Sequence, residues 1–425
     1  MKEWISALIL SLILLVSGGC GQPEDAASVT GQSAAPVASQ VETAPAEPFA
    51  EPEETLPVPE EPSEPEPPAP TVATLAVCGD AMSHMPVTND AWNGEKYDYV
   101  RIMNGAKSYV EAADYAVVNL ETTLAGGPNY SGYPAFNSPD DMAYGLKELG
   151  FDLCMTCNNH SLDKGWSGLS RTLDVLDAAG LAHVGTSRTQ EEYDHNIVLA
   201  DVGGISVAFL GYTYGTNGIP VSKDHPYCIN LFNTDYMTSM STLNKDKIIA
   251  DMQAAKAMKP DLIAVMIHWG IEYKTVQNQY QDDIANFLIS YGADIILGGH
   301  SHVLQPMGLR SIRKGDGTVR QGFVCYSLGN FISSQVYELT DTTVALELEL
   351  TKNNVTGKTE VTGYSYSPMF MLNRGAGASP RFELVDAHAA LNAGTADAAL
   401  QNKLTKAVED CHKILGAEHD KGANP

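Results

Sequence analysis

The chain has 425 residues, 44% of them apolar, which is enough length and hydrophobicity to bury a substantial core. Acidic residues outnumber basic ones 52 to 26, and the formal net charge is −26. That balance speaks against nucleic acid as a partner, since neutralising phosphates needs a basic stripe. An anionic substrate would need local positive charge of the kind that bound metals supply.

Residues 1–20 begin with Lys2, offset by Glu3, run through an apolar stretch at 5–16 and end Ser17-Gly18-Gly19-Cys20. The stretch is too short to span a bilayer. The ending resembles a bacterial lipoprotein signal, cleaved before Cys20, which is then lipidated; an ordinary signal peptide is the alternative. The expected location is extracytoplasmic, on the bacterial cell membrane through a lipid anchor. Residues 21–71 contain no lysine or arginine and repeat Glu, Pro, Ala and Ser. Such a segment cannot offset its ordering entropy, so it is expected to be a disordered acidic tether. In polyproline-like form it would reach on the order of 100 Å.

From residue 72 onward, strand-like and helix-like stretches alternate. Apolar runs predict strands at 74–78, 115–118, 151–157, 262–267 and 295–297. Helices are expected at 105–113, 140–149, 166–179, 236–258 and 281–291, and a hairpin at 196–200 with 205–210. After Gly322 the pattern turns to β-structure at 323–326, 344–350 and 361–365, with a turn at Asn353-Asn354 and a closing helix at 395–415. This reads as one mixed α/β domain: a main part at 72–340, then a β-rich extension and helix at 341–425.

Five polar strings each follow one of the apolar strands: Gly79-Asp80, Asn119-Leu120-Glu121, Asn158-Asn159-His160, His268-Trp269-Gly270 and Gly298-Gly299-His300-Ser301-His302. In open α/β sheets, groups at the carboxyl ends of strands converge on one crevice. Carboxylates, a carboxamide and imidazoles are the donors of a mixed nitrogen and oxygen metal centre, and they are too many for one four-coordinate ion. Two bridged divalent metals are the simplest reading.

Singly, the signals are modest. Asp80 after a strand is more often a cap or turn residue than a ligand, and Glu121 alone says less. Asn159 at a buried strand end can ligate a hard metal through its carbonyl, and His160 beside it can donate a proton to a leaving oxygen. Asp163 either caps the helix beginning near Trp166 or orients His160, capping being the commoner role. A lone histidine such as His268 is more often a satisfied core residue. His300 and His302, alternating along an extended segment after two glycines, can reach one site.

The conjunction is more specific than its parts. Val77-Cys78-Gly79-Asp80-Ala81-Met82, Val118-Asn119-Leu120-Glu121, Asn158-Asn159-His160-Ser161-Leu162-Asp163-Lys164-Gly165, His268-Trp269-Gly270-Ile271-Glu272-Tyr273, Gly298-Gly299-His300-Ser301-His302-Val303 and Ser327-Leu328-Gly329-Asn330-Phe331 span most of the folded part. With them the chain resembles the CapA-type poly-γ-glutamate capsule-synthesis family, whose fold is similar to the calcineurin-like metallophosphoesterases. The resemblance implies a layered sandwich of mixed β-sheets flanked by helices. It implies that Asp80 and His302 hold one metal, that Asn159, His268 and His300 hold the second, and that Glu121 replaces the bridging aspartate. His160 would be the proton donor, with Asp163 as its catalytic neighbour. Glu272 and Asn330 match family positions that would support the metals. Met82 stands where the phosphoesterases carry the histidine of Asp-x-His, and His84 is the candidate replacement.

The implied protein is a surface-anchored, metal-dependent phosphoesterase-like hydrolase of capsule or cell-envelope polymer biosynthesis, using two Mn, Fe or Zn ions. Its implied partners are the anionic polymer, a membrane synthetase or export complex, and the membrane through the anchor. The alternative is a non-catalytic export or anchoring factor for that polymer. A solute-binding lipoprotein shares the anchor and tether but leaves five polar strand ends unexplained. Cys154-Met155-Thr156-Cys157 lies in an apparent strand and reads as core packing rather than a redox motif. Cys78, Cys228, Cys325 and Cys411 are candidates for disulfides outside the cell.

Overall fold

Two mixed β-sheets lie face to face in the computed structural model, with helices against their outer sides. The structure describes residues 67–423, all within one unit, Pro65–Pro425. The signal, Cys20 and nearly all of the tether lie outside the described residues. The strands are β1 (Thr71–Ala81), β2 (Tyr115–Leu120), β3 (Leu153–Met155), β4 (Ala182–Val184), β5 (Val198–Val202), β6 (Ile205–Thr213) and β7 (Leu262–His268). They continue with β8 (Ile295–Gly299), β9 (Leu304–Arg313), β10 (Val319–Leu328), β11 (Asn330–Ile332), β12 (Thr342–Lys352), β13 (Thr359–Asn373) and β14 (Phe382–Asp386).

The first sheet runs β14-β13-β12-β1-β2-β3-β4, with β11 beside β1; the second runs β5-β6-β7-β8-β10-β9. Strands β1 to β4 are mutually parallel, as are β6, β7, β8 and β10, while the outer partners are antiparallel. Parallel strands covered on both faces read as unbroken apolar runs, and β7 shows this. Leu262, Ala264 and Met266 face the core between the sheets; Ile263, Val265 and Ile267 pack under the helices Lys245–Ala257 and Gln279–Tyr291. The two-residue period puts His268 on the inter-sheet face, aimed at the first sheet.

Strand β12 pairs with β1 along seven registered positions, so the C-terminal segment builds the middle of the first sheet. Thr71, assigned by sequence to the tether, opens β1, and Asn354 Nδ2 donates to the Ala69 carbonyl just before it. The helix expected at 236–258 begins only at Lys245, capped by Asn244. Upstream, the Asp235 carboxylate gathers Ser239, Ser241 and Thr242 donors, and this local bonding competes with helix. Edge strands β9 and β14 were not expected from the sequence; half of β9 faces outward. Cys78, Cys154, Cys157, Cys228, Cys325 and Cys411 are all buried and free, so no disulfide forms among the described residues. Burial raises the thiol pKa of each.

Candidate metal centre

Strands from both sheets end on one polar cluster. Asp80 lies near the end of β1, Glu121 just after β2, and Asn158 to His160 just after β3. The second sheet supplies His268 at the end of β7, then His300 and His302 after β8. All of these side chains are buried, Asp80, Glu121 and His268 completely.

Glycines make this convergence possible. A Cβ on Gly299 would sit 2.4 Å from Asp80 Oδ1, so only glycine lets β8 approach that carboxylate. Gly79 serves close approach rather than a turn: it stays within β1, where a Cβ would lie 2.0 Å from the Gly329 carbonyl oxygen. The segment carrying His300 and His302 is not extended as expected. Both residues have positive φ, 92° and 58°, and the His300 N–H donates to Asp80 Oδ2 at 3.0 Å. Backbone held in the left-handed region by non-glycine residues costs energy and concentrates at functional sites.

Two groups of donor atoms lie within 4.8 Å of one another: Asp80, Glu121 and His302, and separately Glu272, His300 and His302. Between them, His268 Nε2 is 2.9 Å from Asn159 Oδ1 and 3.3 Å from Glu121 Oε1. Both Glu121 oxygens and His300 Nδ1 are buried without a hydrogen-bond partner. A buried carboxylate with neither oxygen bonded is costly unless a cation completes it. The donor set therefore fits a divalent metal.

The titration states agree with this. Burial pushes the Asp80 carboxyl up, but the His302 bond and the nearby His268 hold it below its ordinary value. Burial and the neighbouring His268, His302 and His160 hold His300 well below the usual imidazole range, leaving it a neutral donor. Burial also opposes charge on His302, yet Glu121 and Asp80 reverse this and raise it to about 9. His302 is thus protonated at neutral pH in the metal-free protein, and a metal must displace that proton. Metal affinity is expected to rise about tenfold per pH unit until the pH passes the His302 value, then level off. Calorimetry in buffers of different ionisation enthalpy should count about one proton released for the ion that His302 holds. Uptake independent of pH would remove His302 from the ligand set.

The surrounding residues hold the donors in place. Asn158 Nδ2 donates to Asn119 Oδ1 at 3.1 Å, and Asn119 Nδ2 donates to Asp80 Oδ1 at 2.8 Å, a relay across three strand ends. Asn330, on β11, approaches His302 Nδ1 through its Oδ1 at 3.1 Å and stands behind the histidine rather than among the donors. Glu272 is exposed and joins the second donor group from the rim. His84 belongs to neither group. Its ring meets the edge of Phe136 at 5.1 Å, and Phe136 in turn meets His160 at 4.7 Å. Burial, with His302 and His160 nearby, lowers the His84 pKa to about 4.

Asp163 does not cap the following helix, Gly165–Ala179, whose N-cap is Lys164. Its Oδ2 instead meets His160 Nδ1 at 2.7 Å and accepts the Phe136 N–H at 2.6 Å. Sequence reasoning missed Asn119, Tyr214 and Asn217. The Tyr214 ring lies 4.5 Å from that of His300. Asn217, exposed and with φ of 50°, accepts from Asn159 Nδ2 at 3.0 Å. That bond turns the Asn159 carbonyl towards His268. Asn119 lies in the Asn119-Leu120-Glu121 string, two residues before Glu121; Tyr214 and Asn217 lie in an irregular loop with no periodicity to mark them.

Fold and donors together define a two-sheet α/β protein with a buried carboxylate and imidazole centre suited to a divalent metal. The chain belongs to the family described as bacterial capsule synthesis protein PGA_cap, whose sequence profile matches residues 74–335. It is 29% identical over 286 residues to the capsule biosynthesis protein CapA of Bacillus anthracis, covering 66% of this chain and 64% of that one. It is 30% identical over 285 residues to the PGA biosynthesis protein CapA of Bacillus subtilis (strain 168), covering 64% and 69%. The match thus spans about two thirds of these relatives' length. Among solved structures, a novel phosphatase from Mycoplasma pneumoniae aligns with a TM-score of 0.40 at 14% identity, over 71% of this chain and 95% of that one.

Proposed function

We propose that this protein is a metal-dependent hydrolase of phosphoesterase type, holding two divalent ions (Mn, Fe or Zn) and acting on an anionic capsule or envelope polymer. The observation that carries the metal reading is the fully buried Glu121 carboxylate with neither oxygen hydrogen-bonded, set between His268 and His302. Asp80, Glu121 and His302 would hold one ion; Asn159, His268 and His300 would hold the other, with Glu121 between them. Such ions, when bound, polarise a phosphoryl oxygen and acidify a water. The chain's own part is positioning and proton transfer. Asp163 holds His160 Nδ1 and so fixes the ring that would pass a proton to the leaving oxygen. Asn119 and Asn217 fix the faces that Asp80 and Asn159 present.

The protein purified without chelators should hold metal by elemental analysis and hydrolyse a generic phosphomonoester or phosphodiester. If it binds no manganese, iron or zinc, the metalloenzyme reading fails and the export or anchoring role replaces it. If it holds metal without turnover, the hydrolase reading alone fails. The location follows from Cys20, whose acyl chains would anchor the domain on the outer face of the membrane through the acidic tether. No helix among the described residues is long and apolar enough to cross a membrane. Cys20→Ser should release the protein from membranes, because anchoring rests on ~0.8 kcal/mol per buried methylene. Unchanged fractionation and mass would overturn the anchor.

A further inference from the structure

A groove of about 1320 Å³ lies between the helices Lys245–Ala257 and Gln279–Tyr291 and the hairpin of β9 and β10. Its cations are Lys256, Arg310, Arg313 and Lys314, and its one lining acid is Asp283. Asp282 and Asp316 beside it pair with Arg310 and Lys314, so Lys256 and Arg313 are the lining cations that no acid pairs with among the described residues, in a chain of formal charge −26. We infer that this groove is a binding site for a polycarboxylate chain, separate from the metal centre.

Three observations support the assignment. First, much of the positive charge is unspent. Arg310 is taken up by Asp282, Asn286 and Tyr326, and Asp283 accepts from Gln279. Lys256 and Arg313 form no ion pair among the described residues, and Lys314 reaches only Asp316, at 3.8 Å. Second, the cations crowd one another. Burial first, then Arg320 and Lys314, make the charged form of Lys256 less favourable; Asp294, the anion that favours it, is itself bound by Arg320. An anionic ligand would relieve this repulsion. Third, the groove also offers apolar surface from Phe287, Tyr291, Leu309 and Ile312. Methylene segments between regularly spaced carboxylates would cover it while their charges meet the lysines and arginine. The concave shape suits a single flexible chain better than a flat bilayer.

The groove is remote from the chemistry. The helix Lys245–Ala257 leads into the start of β7, whereas His268 stands at that strand's far end. The site would hold the polymer while another part of it reaches the metal centre. This inference rests on the proposed anionic polymer as partner, and the test separates the two.

The probe is poly-γ-glutamate of defined length, bound to the full-length protein and followed by calorimetry at low and high salt. The triple variant K256E/R313E/K314E should weaken binding by roughly tenfold or more, since each exposed ion pair contributes a few-fold. Its metal content and circular dichroism should match wild type, and K256R/R313K/K314R should retain binding. Raising the salt should weaken wild-type binding. Equal binding by the charge-reversed variant overturns the groove while leaving the polymer as partner. No binding by wild type, or binding only to anionic vesicles, overturns the groove and the polymer reading together, with the metal reading judged separately by metal content.

Discussion

Glu121→Gln is expected to weaken metal binding severely and, at the same time, to make the metal-free protein more stable. The carboxylate is fully buried, and neither oxygen has a hydrogen-bond partner. An unsatisfied buried polar group costs about 1–3 kcal/mol, more when charged. The neutral amide removes the part of that cost due to the charge, so the melting temperature of the metal-free variant should rise. His302 loses one of its two carboxylate neighbours but keeps Asp80 at 3.4 Å. Metal affinity should fall by at least ~100-fold, because a ligand matters more than the outer partners whose loss costs 10–100-fold. Thermal melts with and without metal separate the effects: wild type gains stability on loading, and the variant gains far less. A variant that melts lower in both states, or binds metal as wild type does, would remove Glu121 from the centre.

His160→Ala should lose ~100-fold to 10,000-fold in turnover while keeping its metal. Its Nδ1 is held by Asp163, and the ring belongs to neither donor group. The loss should shrink for substrates with acidic leaving groups, which need no proton. A purely structural histidine would lower turnover equally for all substrates. Loss of metal along with activity would instead place His160 among the ligands.

The site's backbone was legible because its five strings close five parallel, doubly covered strands, and such strands announce themselves as apolar runs. Their order along the chain also marks which sheet end they share. What stayed hidden depends on tertiary geometry. Nothing in the spacing of His300 and His302 reveals their left-handed backbone, which follows from the close passage of Gly299 over Asp80. Asp163 precedes a helix and so looks like a cap; its turn towards His160 is fixed by the Phe136 N–H, from a distant loop. Residues 236–244 carry helix-compatible side chains, but one aspartate with three polar neighbours defeats the propensity. Asn217 is an exposed asparagine in a loop, and only its contacts with Asn159 and the His160 ring distinguish it.

The hydrogen bond from His300 to Asp80 joins residues 220 positions apart. A nascent chain that stops before β8 possesses Asp80 and Glu121 but neither His300 nor His302, so no early fragment can assemble the centre. Metal loading, on the proposed reading, would therefore be a late act of maturation, coupled to closure of the two sheets. The ion acquired would then be the one supplied where folding finishes, not where translation begins, and a chain translocated unfolded would take its metal from the far side of the membrane.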